Sequence, residues 1–416
     1  MAQQAVEYEL NEPVPYTLHV EDEQLSTTKH KLALARYPEE LEDVSDDDWG
    51  QGAKVKVVKR LAEYWKDGFD WRAEEAKINA EFKQYKVKVD IPDYGLQVIH
   101  YAHQRSSSPN AIPMIFVHGW PGSFLEARKI IEPLTNPSSA KDQAFHLIIP
   151  SLPGYGPGPA PTKSAFGPAT TARAFKTLMV DALGYKKYVT QGGDWGAPVT
   201  RSMAMQYPQH VRACHHNFFP CGPPPFYKAP MAMGRLVLKS WLYTEREKLS
   251  LENIQYYLRE QNGYFVLQTT RPQSLGFALD DSPAGLLGWL VEKYHQWMDN
   301  AHYTMPDDEI LTFVMMHWMQ GATPGMRFYK AAYAEKGPYS MNEMYKTYLG
   351  TPLGIILQTS PHSIADIPRL IFITVIVLYH LHIIPVLLPT HVSRIVQSNN
   401  RTIGVDIPYC MFNFGR

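Results

Sequence analysis

The stretch Gly192-Gly193-Asp194-Trp195-Gly196 has the form of a nucleophile elbow that carries aspartate in place of serine. A strand-like run at 188–191 precedes it, and a helix-like segment at 197–207 follows it. Such a turn is strained, so small residues are expected at 192 and 196, where strand and helix meet and a Cβ branch has no room. The positive end of the following helix favours an anion. We therefore predict that Asp194 is ionised and acts as a nucleophile.

A second motif lies upstream and supports the same site. A buried-strand pattern at 112–117 runs directly into His118-Gly119-Trp120-Pro121-Gly122-Ser123. In an α/β-hydrolase sheet, the loop after this strand supplies one backbone N–H of an oxyanion hole, and the residue after the nucleophile supplies the other. A Pro-Gly turn alone would indicate only a tight connection. The two motifs in this order predict an oxyanion hole made by the N–H groups of Trp120 and Trp195.

Composition bounds the class of protein. The 416 residues suffice for one large α/β domain and a smaller one, and 45% hydrophobic with 19% charged residues is typical of a globular protein. A net charge of −1 gives no reason to expect a nucleic acid as partner. Three cysteines make no disulfide framework, and no metal-binding spacing of cysteine or histidine occurs. The N-terminus also lacks the apolar core of a signal peptide. The few cysteines and this N-terminus together predict a cytoplasmic protein.

The order of elements predicts an α/β fold with an added arm and lid. Strand-like runs alternate with helical segments, which favours a mostly parallel sheet. The strand-like runs lie near 96–103, 112–117, 145–150, 187–191 and 211–217. The predicted units are an N-terminal arm domain at 1–95, the first part of the core at 96–219, a helical lid at 220–340 and a divergent tail at 341–416. In the lid, Ser282 is the predicted N-cap and Pro283 the first residue of a helix.

Together these motifs resemble the microsomal-type epoxide hydrolases of the α/β-hydrolase superfamily, especially their fungal members. The resemblance covers residues from about 15 to 354. Beyond the two motifs above, similar segments lie at 32–38, 64–72, 263–264, 270–272, 281–283 and 326–329. The resemblance implies an α/β-hydrolase fold with an N-terminal arm and a helical lid. It also implies epoxide hydrolase activity without a cofactor or a metal.

The chemistry of epoxide opening fits these residue types. A carboxylate displaces the alkoxide from an epoxide carbon without first losing a proton, which serine would have to do. The resemblance implies that Tyr264 and Tyr329 of the lid donate hydrogen bonds to the ring oxygen. Water would then hydrolyse the ester on Asp194 to release a vicinal diol, with Trp120 and Trp195 binding the oxyanion. The implied partners are a small apolar epoxide and water.

The tail departs from the family pattern. Family members continue after residue 354 with a strand, an orienting acid and a Gly-Gly-His-Phe that carries the base histidine. Here Thr359-Ser360-Pro361 stands where the acid is expected, and the sequence contains no Gly-Gly-His-Phe. We therefore expect this chain to complete alkylation of Asp194 and then stall. The candidate substitutes for the base and the acid are His362, His380, His382, His391 and Asp366.

Residues 367–389 are mostly apolar and long enough to span a membrane as a helix. Against a membrane helix, the stretch is rich in β-branched residues and breaks at Pro385. Three interpretations stay open: an altered reading frame or retained intron that replaces the native end, a membrane anchor, or rearranged core strands. The oligomeric state is not indicated.

Two other functions stay open at this point. A haloalkane dehalogenase-like hydrolase also uses an aspartate elbow. A catalytically impaired binding protein would keep the pocket and retain apolar epoxides without turning them over.

Overall fold

The computed structural model describes residues 8–139, 141–218, 245–300, 302–347 and 349–355. Its strands are β1 (Val14–Tyr16), β2 (Gln84–Ile91), β3 (Gly95–Gln104), β4 (Ile112–Val117), β5 (Phe145–Pro150), β6 (Tyr188–Gly192), β7 (Val211–His216) and β8 (Leu353–Ile355). They form one eight-stranded sheet in the order β1-β2-β3-β5-β4-β6-β7-β8. The pairs from β5 through β4, β6 and β7 to β8 are parallel. The prediction of a mostly parallel sheet is confirmed for this part.

The helices cover the sheet and build the lid. The arm and core helices are α1 (Asp22–Ala33), α2 (Val55–Asp67), α3 (Trp71–Glu81), α4 (Ile131–Thr135), α5 (Pro168–Thr177) and α6 (Gly196–Gln206). A 3₁₀ helix, Phe124–Ile130, runs directly into α4. The helices of the lid and the segment after it are α7 (Glu245–Tyr256), α8 (Gly263–Thr270), α9 (Pro272–Leu279), α10 (Pro283–Trp297), α11 (Asp307–Trp318), α12 (Thr323–Ala334) and α13 (Met341–Met344). The α/β-hydrolase fold with an arm and a helical lid matches the prediction.

The arm contributes two strands that the sequence analysis did not predict. β1 and β2 precede residue 96, yet β2 pairs with β3 along its whole length in antiparallel register. In β2 the buried Val87, Val89 and Ile91 alternate with partly exposed or exposed residues, as expected of a strand with one face in the core. The helical and aromatic signals of the arm obscured this alternation.

The arm is fastened to the lid by aromatic and polar contacts. The Trp318 indole N–H donates to Thr28 Oγ1 at 2.7 Å, and the Trp65 ring meets Trp318 edge-on with the centroids 6.4 Å apart. The predicted helix start in the lid is confirmed, because Ser282 Oγ accepts from the Gly285 N–H at 3.0 Å. The contacts of Trp318 join the arm to the lid.

The far tail lies outside the described residues. This holds for the apolar stretch 367–389 and for His362, His380, His382, His391 and Asp366. The nearer part continues the fold, since β8 pairs in parallel with β7. In the described part of the chain, every helix is too short or too polar to cross a membrane.

Candidate active site

The elbow is a sharp turn between β6 and α6. Asp194 has a φ of 43°, in the left-handed region that a residue with a side chain rarely adopts. A Cβ atom at Gly192 would lie 2.3 Å from the carbonyl oxygen of Gly196, and one at Gly196 would lie 1.9 Å from that of Val117. Only glycine fits at these two positions. The requirement for small residues beside Asp194 is therefore confirmed.

The two N–H groups predicted for the oxyanion hole converge on the Asp194 carboxyl group. The Trp120 N–H donates to Asp194 Oδ1 at 2.9 Å, and the Trp195 N–H also forms a hydrogen bond with this carboxyl. Gly119 lets the loop come this close, since a Cβ atom there would lie 2.3 Å from Asp194 Oδ1. The arrangement places two donors where negative charge on a carboxyl oxygen would be stabilised.

Burial controls the charge of Asp194. Loss of solvent raises the pKa of Asp194 from 3.8 to about 6, while the hydrogen bonds from Trp120 and Trp195 act in the opposite direction. The favourable helix end, which was the basis of the prediction from sequence, acts against this increase. At neutral pH the anion still prevails, because the pKa lies below 7. The ionised state of Asp194 stays a prediction, which its pH dependence can test.

The structure brings both predicted tyrosines to the elbow. Tyr264 in α8 and Tyr329 in α12 are buried. The Trp120 ring stacks on Tyr264 with centroids 5.1 Å apart, and Tyr329 meets it edge-on at 5.9 Å. Burial raises the pKa of both phenols well above their usual value, and the charge of Asp194 adds to the increase. All three side chains therefore share one site.

An aromatic cluster encloses this site. It consists of Trp120, Trp195, Tyr264, Trp297 and Tyr329. Trp195 meets Tyr329 edge-on with centroids 4.7 Å apart, and Trp297 meets Tyr264 at 4.9 Å. Such rings remove water from the reacting groups and offer apolar surface to a ligand. In the part of the chain that is described, no three His, Cys, Asp or Glu side chains are grouped as a metal site requires.

Sequence analysis missed a third tyrosine beside the pair. Tyr257 opens a π-helical turn, Tyr257–Gln261, and its hydroxyl lies 3.2 Å from that of Tyr264. Burial raises the pKa of Tyr257, and the charge of Asp194 contributes. The seven-residue spacing was an available signal, because residues 257 and 264 of a continuous helix would lie two turns apart on one face. Single π-helical turns of this kind frequently occur at functional sites.

The histidines around the elbow are already engaged in the loop structure. His118 donates from Nδ1 to the Gly119 carbonyl at 3.0 Å, and its Nε2 accepts from the Leu152 N–H at 3.0 Å. His317 donates from Nε2 to the Pro121 carbonyl at 2.7 Å. Burial lowers the pKa of His118 to about 3 and that of His317 to about 4. Among the described residues, no histidine is hydrogen-bonded to Asp194.

Two family models match the chain. The model "Epoxide hydrolase N terminus" matches residues 13–127, and the model "alpha/beta hydrolase fold" matches residues 112–250. Among curated relatives, epoxide hydrolase 1 of Sus scrofa is 32% identical over 81% of this chain and 76% of its own length. Juvenile hormone epoxide hydrolase 2 of Ctenocephalides felis is 32% identical over 77% of this chain and 70% of its own.

A solved structure agrees with these matches. The epoxide hydrolase of Aspergillus niger superposes with a TM-score of 0.71 at 29% identity, covering 87% of each chain. The structural similarity and the family models therefore point to the same family. The chain belongs to the epoxide hydrolase family, hydrolytic enzymes with an α/β-hydrolase fold.

Proposed function

We propose that this protein opens an epoxide through a covalent ester on Asp194 and releases a vicinal diol. The observation that carries the proposal is the convergence of the Trp120 and Trp195 N–H groups on the Asp194 carboxyl, with Tyr264 and Tyr329 against the same loop. The hydrogen bonds hold the carboxylate for attack on the ring carbon. In the second step the same two donors stabilise the oxyanion formed when water attacks the ester.

The two phenols supply the proton that ring opening requires. Their pKa values lie well above the usual value, so both hydroxyls are protonated at neutral pH. An alkoxide is a stronger base than a phenolate, so it takes a proton from one of them as the C–O bond breaks. Tyr264 and Tyr329 are therefore the proposed acids of the first step.

The substrate class follows from the lining of the site. The aromatic cluster offers ring faces and edges to a ligand. We expect a small epoxide with an apolar substituent, which such a surface binds by burial of apolar area.

Hydrolysis of the ester is the slow step in this proposal. The family's Gly-Gly-His-Phe is absent from the sequence, and no histidine of the described residues is hydrogen-bonded to Asp194. A base in the second step typically contributes about 10²- to 10⁴-fold. The ester on Asp194 should therefore accumulate.

Intact mass spectrometry after incubation with styrene oxide tests the proposal. We expect one added epoxide mass, located on the peptide that contains Asp194, with little diol formed. Asp194→Asn should give no adduct, and the double variant Tyr264→Phe/Tyr329→Phe should form it at least about 100-fold more slowly. Sustained diol release without an adduct would contradict the slow second step.

The same protein samples separate the alternatives. Chloride release from a 1-chloroalkane that survives loss of both phenols would favour a dehalogenase, since halide departure needs no proton. Tight binding of the epoxide with no adduct and no diol would indicate a binding protein.

A further inference from the structure

A second buried carboxyl group lies against the loop that holds Asp194. Glu126 belongs to the 3₁₀ helix after this loop, and a Cβ atom at Gly122 would lie 1.6 Å from its Oε1. On the same loop, a Cβ atom at Gly119 would lie 2.3 Å from Asp194 Oδ1. The carboxyl groups of Glu126 and Asp194 thus pack on glycines of one short turn.

The Glu126 carboxyl has an unused polar atom. Its Oε1 is buried, and no donor among the described residues lies within hydrogen-bonding distance. The group also receives a hydrogen bond from the Gly119 N–H. In the described part of the chain, no lysine, arginine or histidine forms an ion pair with it. A buried carboxyl oxygen without a partner is costly, and such atoms in native proteins often mark a functional role.

The surroundings of Glu126 favour its protonated form in the free enzyme. Burial raises its pKa well above the usual value, the charge of Asp194 adds to this, and the Gly119 N–H opposes it. The other titratable group that interacts with it is Tyr294, whose hydroxyl donates to the Pro121 carbonyl at 3.2 Å. Of the two carboxyl groups, Asp194 is therefore the one that ionises more readily.

Alkylation changes this balance. The ester on Asp194 is neutral, so the charge that helped to hold the proton on Glu126 is gone. Ring opening leaves a phenolate at Tyr264 or Tyr329, which takes up a proton and becomes a phenol again. If that proton comes from Glu126, the negative charge moves from Asp194 to Glu126 and the total charge is unchanged. A carboxylate then lies against the loop that holds the ester when water must be activated.

We propose that Glu126 is the base that activates water for hydrolysis of the Asp194 ester, an assignment that rests on the proposed function. The Glu126 carboxylate takes one proton from water, and the hydroxide attacks the ester carbonyl carbon. The Trp120 and Trp195 N–H groups bind the resulting oxyanion. Collapse breaks the bond to the alkyl oxygen, and the departing alkoxide takes the proton of the new carboxylic acid. The products are the diol, the Asp194 carboxylate and protonated Glu126.

The geometry of the loop favours Glu126 over the nearby histidines. Both ring nitrogens of His118 already have partners, and Nε2 of His317 holds the Pro121 carbonyl. Glu126 Oε1 has no donor from the described protein. It is therefore free to accept a hydrogen bond from the attacking water.

Decay of the isolated ester tests this assignment. The full-length protein is alkylated with excess styrene oxide, freed of epoxide by gel filtration, and followed by intact mass. We expect Glu126→Gln to form the adduct at nearly the wild-type rate but to lose it about 100-fold more slowly. The wild-type decay rate should rise with pH as Glu126 loses its proton, whereas the variant's decay should not change over the same range. Glu126→Asp should recover part of the rate.

Glu132→Gln is the matched control, because Glu132 is exposed in α4 and the substitution is the same. It should decay as the wild type does. Normal adduct formation by Glu126→Gln shows that the variant is folded, since alkylation requires an intact site. Equal decay of wild type and Glu126→Gln, or a wild-type ester that never decays, would overturn the assignment of Glu126. Failure of every form to be alkylated would instead overturn the proposed function itself.

Discussion

The indole ring of Trp120 lies nearly parallel to the phenol ring of Tyr264, with the centroids 5.1 Å apart and 8° between the planes. The backbone N–H of the same tryptophan donates to Asp194 Oδ1 at 2.9 Å. One residue therefore connects the core loop, the elbow and the lid. Any displacement of the lid would be transmitted through this stack to the carboxylate that it helps to hold.

Alkylation should depend on pH through Asp194. Its pKa is raised to about 6, so the nucleophilic anion is lost as the pH falls through that value. The rate of adduct formation should be constant above about pH 7 and fall about tenfold per pH unit below about pH 5. Rapid mixing with styrene oxide followed by intact mass spectrometry measures this. A rate that stays constant down to about pH 4 would show that Asp194 is not the group that must be ionised.

Asp194→Asn should stabilise the fold at high pH. The folded pKa of about 6 exceeds the ordinary value of 3.8, so burial of the charged form costs stability as the pH rises through this window. Urea denaturation at about pH 8 should give a gain in the free energy of unfolding on the order of 1–2 kcal/mol. The gain is limited to this size because Asp194 keeps some contact with solvent. At about pH 4 the gain should vanish, because wild-type Asp194 is then neutral. Asp90→Asn, at an exposed position of β2, should show no such gain.

Gly119→Ala should disable the site through crowding. The added Cβ would lie 2.3 Å from both the Cβ and Oδ1 of Asp194, so the carboxyl must move away from the Trp120 N–H. We expect alkylation to slow by about 100-fold or more, as for loss of an oxyanion-hole donor. Gly288→Ala in α10 is the control, since its nearest neighbour is Val58 Cγ2 at an ordinary 3.8 Å. An active Gly119→Ala protein would refute the close approach.

Asp280 should stabilise the helix that carries Tyr329. Its Oδ1 accepts from the N–H groups of Ala322 and Thr323 at 2.6 and 3.0 Å, at the start of α12. Asp280→Ala leaves these donors without a partner and should lower the free energy of unfolding by about 1–2 kcal/mol. Asp281→Ala removes only an exposed ion pair with Lys31 and should cost less than about 1 kcal/mol. Equal losses in the two variants would contradict the capping role.

Tyr257 should help to position the hydroxyl of Tyr264. Tyr257→Phe removes the hydroxyl that lies 3.2 Å from the Tyr264 hydroxyl. Loss of one such hydrogen bond should slow alkylation by roughly 2- to 10-fold, much less than loss of Tyr264 itself. Tyr256→Phe is the neighbouring control. The measurement compares the single-turnover alkylation rates of Tyr257→Phe and Tyr256→Phe. Equal rates would show that Tyr257 has only a packing role.

Local sequence was sufficient for the elbow and the loop before it. The turn requires glycine at 192 and 196 for steric reasons that involve only adjacent backbone, so the motif and its geometry were predicted together. The lid helix beginning at Pro283 was also predictable, because Ser282 caps its own helix. By contrast, β1 has only three residues, and its place at the sheet edge depends on pairing with β2.

The sequence by itself determined the fold class and predicted the nucleophile and the two backbone donors, because each rests on residues that are contiguous in the chain. Only the tertiary structure decided the charge state of Asp194, the contact of Tyr257 with Tyr264 and the burial of Glu126 beside the loop. These depend on how completely the lid and the 3₁₀ helix exclude water. Desolvation is a property of the assembled core, and no local pattern of residues carries it.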